Sequence, residues 1–272
     1  MPNSAFLPPR SPGYNRQKSG KMIMSYSTPV TEIMNEHVTA RFYTGEPIPG
    51  GMLDVILKAA RRAPTSSNMQ TYSIIVVRDP ETRKELAKVA HGQKHIETCE
   101  VFLAFCADIK RLETAVASHG VDLAKSLELT LVATIDAALV GMSVQTAAES
   151  FGLGAVMIGA MRNDPKRAAE LLGLPGGVFV VYGMCLGWPD ETRIPPQKPR
   201  LPQEIVVHYE QYNRANPMPE IEVYDDQLAD YYGRQNRNQH MAAWSGPIAA
   251  RLENPLRPDL RADLEALGFS FE

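Results

Sequence analysis

The sequence has 272 residues, 44% hydrophobic and 22% charged, enough apolar chain for one large domain or two small ones with a sizeable core. Lysine and arginine number 28 against 31 aspartates and glutamates, a net charge of −3. That balance excludes the strong basic excess of a dedicated nucleic-acid binder. No charge-free apolar run reaches the about 18 residues of a membrane-spanning helix; the best candidate, 127–150, is interrupted by Glu128, Asp136, Gln145 and Glu149 and reads as a buried core helix.

Residues 1–26 carry Arg10, Arg16, Lys18 and Lys21, no acid, and prolines at 2, 8, 9 and 12. The prolines forbid a continuous helix, and no apolar core followed by a cleavage site marks a secretory signal. A disordered basic N-terminal arm is predicted there, with the folded domain spanning 27–272. A short helical pattern covers 30–37. Residues 51–62 place Leu53, Ile56, Leu57 and Ala60 on one helical stripe. A β-branched strand is predicted at 73–77, then a helix at 80–89 with Asp79 as N-cap and Pro80 first. A buried strand is predicted at 101–107, the long central helix at 123–150 with Gly152 as C-cap, a strand at 155–158, a helix at 165–172 and a buried strand at 178–186. Interleaved helices and two-sided apolar strands imply a sheet covered by helices on both faces.

After Gly187 the chain changes character. Residues 188–220 hold seven prolines and read as an extended arm that cannot make its own core and wraps a second subunit. A helix at 225–232, a polar stretch at 233–240 and short helices complete a C-terminal excursion, about 221–272. Cys99, Cys106 and Cys185 lack C-x-x-C spacing, so neither a disulfide framework nor a zinc site is expected. They read as reduced core thiols of a cytoplasmic protein. A dinucleotide fingerprint, phosphate loop, H-E-x-x-H and nucleophile elbow are all missing.

Polar segments remain at element ends. His37-Val-Thr39-Ala-Arg41 follows the first helix; Thr39 reads as a cap or a ligand hydroxyl, Arg41 as a surface charge or a site cation. Thr65-Ser66-Ser67-Asn68-Met69-Gln70 joins a helix to a strand, either as a plain loop or as a set of hydroxyl and amide donors. Gly92-Gln93-Lys94-His95 precedes the second strand, and Ile158-Gly159-Ala160-Met161-Arg162-Asn163 follows the third, at a strand end where backbone amides are free to donate. Lys198-Pro-Arg200 puts two cations on one side of a rigid extended segment, a spacing suited to phosphate.

In this order, HVTARFYTGEPI, APTSSNMQTYSIIVV, GQKHI, AAESFGLGAVMIGAMRND, LGWP, KPRLP and YDDQLADYY resemble the nitroreductase family of flavoproteins. They are most similar to the branch of oxygen-insensitive NADPH nitroreductases and NADPH–flavin oxidoreductases. The resemblance runs from about His37 to Trp244. It implies an α+β fold with a central mixed, mostly antiparallel sheet covered by helices on both faces, and an arm wrapping the partner of a homodimer. It also implies bound FMN and NADPH as co-substrate. The phosphate would be held by His37, Lys198 and Arg200, with the Thr39 hydroxyl. Arg41 would stabilise negative charge at N1 and O2 of the reduced ring, and Gln93 would sit at the pyrimidine edge. Ser66, Ser67, Met69 and Gln70 would line the ring and ribityl chain, the serines from the neighbouring subunit. Ile158, Gly159, Ala160 and Met161 would lie along the ring, with a backbone N–H aimed at N5. Arg234 and Arg237 would grip the NADPH 2′-phosphate, although Asp225, Asp226 and Asp230 make ion pairing an alternative.

Two departures from the branch are Val38, where it has arginine, and Ala160, where it has glycine. The implied activity is ping-pong hydride transfer through flavin N5 to small-molecule acceptors, nitroaromatics and quinones. Its alternative is delivery of free reduced FMN.

Overall fold

The computed structural model describes residues 26–235 and 243–272, with the backbone of two short strands, β1 (Tyr14–Asn15) and β2 (Ile23–Met24). Packing divides the chain into a unit of residues 1–37 and a unit of residues 38–272. In the first unit β1 pairs antiparallel with β2, a ladder the proline-rich sequence did not predict. Helix α1 (Pro29–Glu36) opens on a reciprocal capping box between Thr28 and Thr31, with Pro29 at the position where a missing N–H costs nothing.

The second unit is built on four strands, β3 (Tyr72–Val77), β4 (Val101–Asp108), β5 (Gly154–Ile158) and β6 (Val178–Gly187), antiparallel in the order β3–β4–β6–β5. Thr39 meets the outer edge of β5 in the parallel sense, the Ala40 N–H donating to the Ala155 carbonyl at 3.1 Å. The sheet is thus mixed and mostly antiparallel, as expected. Strands β4 and β6 are buried along their whole length, which is why their sequences run apolar without alternation. Alternation reappears in space. Leu103 and Phe105 pack with α2 (Gly50–Ala60) and the central α6 (Leu127–Glu149); Phe102, Ala104 and Cys106 pack on the opposite face with α3 (Pro80–Val89), α4 (Lys94–Thr98) and α7 (Pro165–Leu172).

A β-bulge interrupts the central pair. Phe105 faces Tyr182 and Cys106 faces Val180, leaving Val181 between them. The extra residue turns both Val181 and Tyr182 toward α6. There the Tyr182 hydroxyl donates to the Ala137 carbonyl at 3.0 Å. Gly141 makes this approach possible, because a Cβ at that position would overlap the hydroxyl.

Several boundaries differ from the sequence reading. Helices α4 and α5 (Lys110–Ala117) were not predicted; both are short, and the apolar stripe of α5 is limited to Leu112, Ala115 and Val116. Helix α6 starts at Leu127 rather than 123, because Ser126 is extended and accepts the Leu129 N–H at 3.2 Å. Its C-cap is Ser150 rather than Gly152, which instead turns the chain just beyond with φ +84°. Helix α8 (Met218–Arg234) begins seven residues before the predicted 225 and takes Pro219 into its first turn, where proline is tolerated. Helices α9 (Ser245–Leu252) and α10 (Leu260–Ala266) follow.

The proline-rich arm is anchored on its own chain at one stretch. Its 196–201 stretch docks on α8 of the same chain: Tyr224 and Tyr231 donate to the Pro199 and Pro196 carbonyls at 3.1 and 2.9 Å, and Leu201 joins a small cluster with Tyr224, Leu228 and Tyr232. All three cysteines are buried and free.

Candidate active site

The sequence-predicted residues fall into three groups, set by which sheet edge or arm carries them. The first lies at the β5 edge. The parallel bridge at Thr39 directs the following Arg41 along β5 toward the turn at Gly159–Asn163. Arg41 is exposed and in no ion pair among the described residues, and its charge acts on His95 of α4. The His95 Nε2 is buried with no hydrogen-bond partner. Burial, with the Arg41 charge adding to it, pushes this imidazole down to about 4, so it is neutral at physiological pH. Gln93 is the half-buried N-cap residue of the same short helix.

The Gly159–Asn163 turn is tied from behind by two arginines, Arg162 of the turn itself and Arg257, which sequence reasoning missed. Arg257 donates to Asn163 Oδ1 at 2.9 Å and to the Gly159 carbonyl at 3.3 Å, and Arg162 donates to the Val181 carbonyl. Burial, then the charge of Arg257, lowers the Arg162 guanidinium from its ordinary value. Ile158 and Met161 are buried in the core, whereas Gly159 and Ala160 are half-buried. The turn therefore offers backbone and two small residues rather than large side chains. Nothing in the sequence near Arg257 signalled its partner 98 residues away.

The second group is the serine loop before β3, at the opposite edge of the sheet. Ser67, Asn68 and Gln70 have φ of 47°, 57° and 52°, left-handed conformations that cost a non-glycine residue about 1–2 kcal/mol. Buried Asp136 of α6 accepts the Ser66 N–H at 3.1 Å, the Thr71 N–H at 3.0 Å and the Thr71 hydroxyl at 2.8 Å. Outside, Arg111 donates to the Gln70 and Tyr72 carbonyls and is oriented by Asp108 at 3.2 Å. The Ser66 and Ser67 hydroxyls are left exposed, with no hydrogen bond among the described residues; Met69 is half-buried. Asp136 was visible in the sequence only as an interruption of an apolar run.

The third group is cationic. Lys198 Nζ donates to the Tyr232 hydroxyl at 2.8 Å, and Arg200 folds onto the carbonyls of Lys198 and Pro199 at 3.1 and 3.4 Å. Arg234 is in the last turn of α8 rather than in a loop, and pairs with Asp230 at 2.6 Å. Arg237 lies outside the described residues. His37 is the C-cap of α1, in the N-terminal unit.

Residues 35–188 match the nitroreductase family, and residues 198–272 match the nitroreductase family C-terminal domain. The chain belongs to the nitroreductase family. It is 37% identical over 247 residues to the FMN reductase [NAD(P)H] of Bacillus subtilis, covering 89% of this chain and 98% of that one. It is 38% identical over 245 residues to the oxygen-insensitive NADPH nitroreductase of Salmonella typhimurium, covering 89% and 99%. The NADPH:FMN oxidoreductase of Vibrio harveyi, solved in complex with NAD+, superposes with a TM-score of 0.80 at 36% identity, covering 89% of this chain and 99% of that one.

The donor set suits the flavin mononucleotide that the resemblance implies for this family member. Exposed hydroxyls and an amide suit a ribityl chain and a heterocycle edge, and two exposed arm cations suit a phosphate. Among the described residues the Nε2 of His95 is a buried polar atom with its hydrogen-bonding capacity unused, and the charge that acts on it is that of Arg41, which has no ion-pair partner there.

Proposed function

We propose that this chain is an FMN-dependent NADPH oxidoreductase that reduces nitroaromatics and quinones in a ping-pong cycle, acting as a cytoplasmic homodimer. The observation that carries the reading is Arg41: an exposed cation without an ion-pair partner among the described residues, led by a parallel bridge toward a turn with two small, half-buried residues. Bound FMN supplies hydride acceptance from NADPH and hydride delivery to the second substrate, both at N5. The chain's own residues bind and bias it. Lys198 and Arg200, with Thr39, would hold the phosphate. Arg41 is a fixed cation that favours negative charge at the pyrimidine end of the ring, where Gln93 adds a directional contact. A backbone N–H of the Gly159–Asn163 turn donates toward N5.

The serine loop is the reason for the homodimer. Strands β3 and β5 are separated by β4 and β6, three strand spacings or about 14 Å. One copy therefore carries the serine loop and the Arg41 group at opposite edges. Placing Ser66, Ser67, Met69 and Gln70 on the flavin of a second copy completes each site. An apolar stripe along α6 supports the pairing: Leu127, Leu131, Ile135, Leu139 and Met142 are all at least 38% exposed, and monomeric proteins rarely expose large contiguous apolar patches. The arm beyond Leu201 is equally uncovered, with Tyr209 80% and Tyr212 74% exposed, as expected if it wraps the partner. Three buried free thiols accord with a reducing compartment.

The second reading, a flavin reductase releasing reduced FMN, is favoured by the name of the Bacillus subtilis relative. Purified protein should be yellow and oxidise NADPH with a quinone or nitroaromatic acceptor; Arg200→Ala should be largely colourless. Faster turnover of added FMN than of any quinone selects the second reading. A yellow protein that cannot oxidise NADPH overturns both.

A further inference from the structure

The serine loop does not hold its shape by itself. Three of its residues, Ser67, Asn68 and Gln70, take the left-handed conformation without being glycine, so an unrestrained segment of this sequence would populate other conformations. What fixes it is a carboxylate that is 1% exposed in the middle of an apolar helix. Asp136 accepts hydrogen bonds from both ends of the loop, through Ser66 at 3.1 Å and through both Thr71 donors at 3.0 and 2.8 Å. No cation among the described residues pairs with it; its charge is satisfied by three loop donors alone. A buried, unpaired carboxylate is a costly way to fill a core position. What this one achieves is the selection of a single loop conformation from many.

We propose that Asp136 is a positioning residue for FMN: it holds the serine loop in the strained form that presents Ser66, Ser67 and Gln70 to the cofactor. The proposal rests on the reading that this loop touches FMN. Arg111 acts from the outer side on the Gln70 and Tyr72 carbonyls, but its side chain is 57% exposed, so the buried carboxylate is the dominant restraint. Occupied by FMN, a loop already in position loses no further conformational freedom; a loop released from Asp136 must be ordered by the cofactor at the expense of affinity.

The test is FMN release from diluted full-length holoenzyme, read as recovered flavin fluorescence. Asp136→Asn replaces one acceptor oxygen by an amide that cannot accept, and is expected to weaken FMN binding about tenfold or more. Val140→Ala removes packing at a fully buried site one turn further along α6, and is expected to lower thermal stability while leaving FMN affinity within about threefold. Adding Asn68→Gly to Asp136→Asn removes one left-handed penalty and is expected to restore about threefold of the lost affinity; a purely structural role for Asp136 predicts no rescue. Unchanged affinity in Asp136→Asn, equal loss in Val140→Ala, or absence of rescue overturns the proposal. If Asp136→Asn does not fold, Thr71→Val deletes only the hydroxyl donor, and unchanged FMN affinity in that variant overturns it equally. Gln70→Ala separates the two levels. If it leaves FMN affinity unchanged, the loop is not at the cofactor and the underlying reading fails with the proposal. If it weakens FMN while Asp136→Asn does not, the proposal alone fails.

Discussion

Arg234 has an observed role in an ion pair and a proposed one at the NADPH phosphate, and a single substitution separates them. It is bonded to Asp230 one turn back on α8, with its side chain 77% exposed, and an exposed pair of this kind contributes about 0–1 kcal/mol. Arg234→Ala should therefore leave the melting temperature nearly unchanged. Its guanidinium is also a ready fork for a 2′-phosphate, and losing one such contact should lower kcat/KM for NADPH about 10- to 100-fold with NADH unaffected. Parallel loss with both cofactors removes Arg234 from the phosphate site. His95 makes a prediction in pH. Its folded imidazole titrates near 4 against an ordinary 6.5, so between those values the unfolded chain binds a proton that the folded one does not. Stability then falls as pH is lowered through that window. His95→Gln should flatten the melting temperature against pH from 6.5 to 4. Asp79 and Asp225, whose carboxyls are lowered by the hydrogen bonds of Thr82 and Ser245, lose their contributions only at lower pH. A profile unchanged by the substitution would reject the assignment.

Among the elements, the contact of β6 with α6 is the least forgiving. The bulge after Phe105 delivers the Tyr182 hydroxyl to the Ala137 carbonyl across the space Gly141 leaves open. Gly141→Ala gains helix propensity but meets the hydroxyl, and overpacking of a filled core costs about 1–3 kcal/mol. Tyr182→Phe removes the nearest obstacle together with a hydrogen bond, and leaves the ring carbon Cζ 2.7 Å from the added methyl. The double variant should be more stable than the sum of the single effects implies, because the second change removes the atom that the first meets most closely and leaves only the lesser overlap with the ring. Urea unfolding measures this directly; strict additivity would mean that the helix shifts away instead of clashing.

For the whole molecule, helix α6 carries both halves of the argument. By length and composition it is apolar enough to cross a membrane, yet 44% of its apolar window is buried inside the chain. One face packs on the sheet and holds Asp136; the other presents Leu131 at 48% and Ile135 at 55% exposure. Obligate homodimers commonly bury about 2,000 Å² or more, and this stripe with the uncovered arm is the apolar surface available for it. Ile135→Glu should yield a monomer in sedimentation experiments and release FMN at the same time, because in the proposed homodimer each flavin site needs the serine loop of the other copy. A monomeric, fully flavin-loaded Ile135→Glu protein would separate the loop from the partner's site.

Much of this was determined by the sequence itself, wherever a local rule was enough. Continuous apolar runs marked β4 and β6; Asp79 followed by Pro80 marked the start of α3, where the carboxylate accepts the Thr82 N–H at 2.8 Å. The ordered polar segments marked the family. Helices α4 and α5 escaped because, at five and eight residues, they are too short for the window of about 11–18 residues over which periodicity is read. Tertiary structure alone decided the rest. Ser66 and Asp136 are 70 residues apart, Gly159 and Arg257 are 98 apart, and Lys198 and Tyr232 are 34 apart. No spacing rule reaches across such distances, because it is the packing of the sheet against α6 and of the arm against α8 that brings these atoms within bonding range. The sequence carried the donors; only the fold decided which of them are already committed to one another and which remain for a ligand.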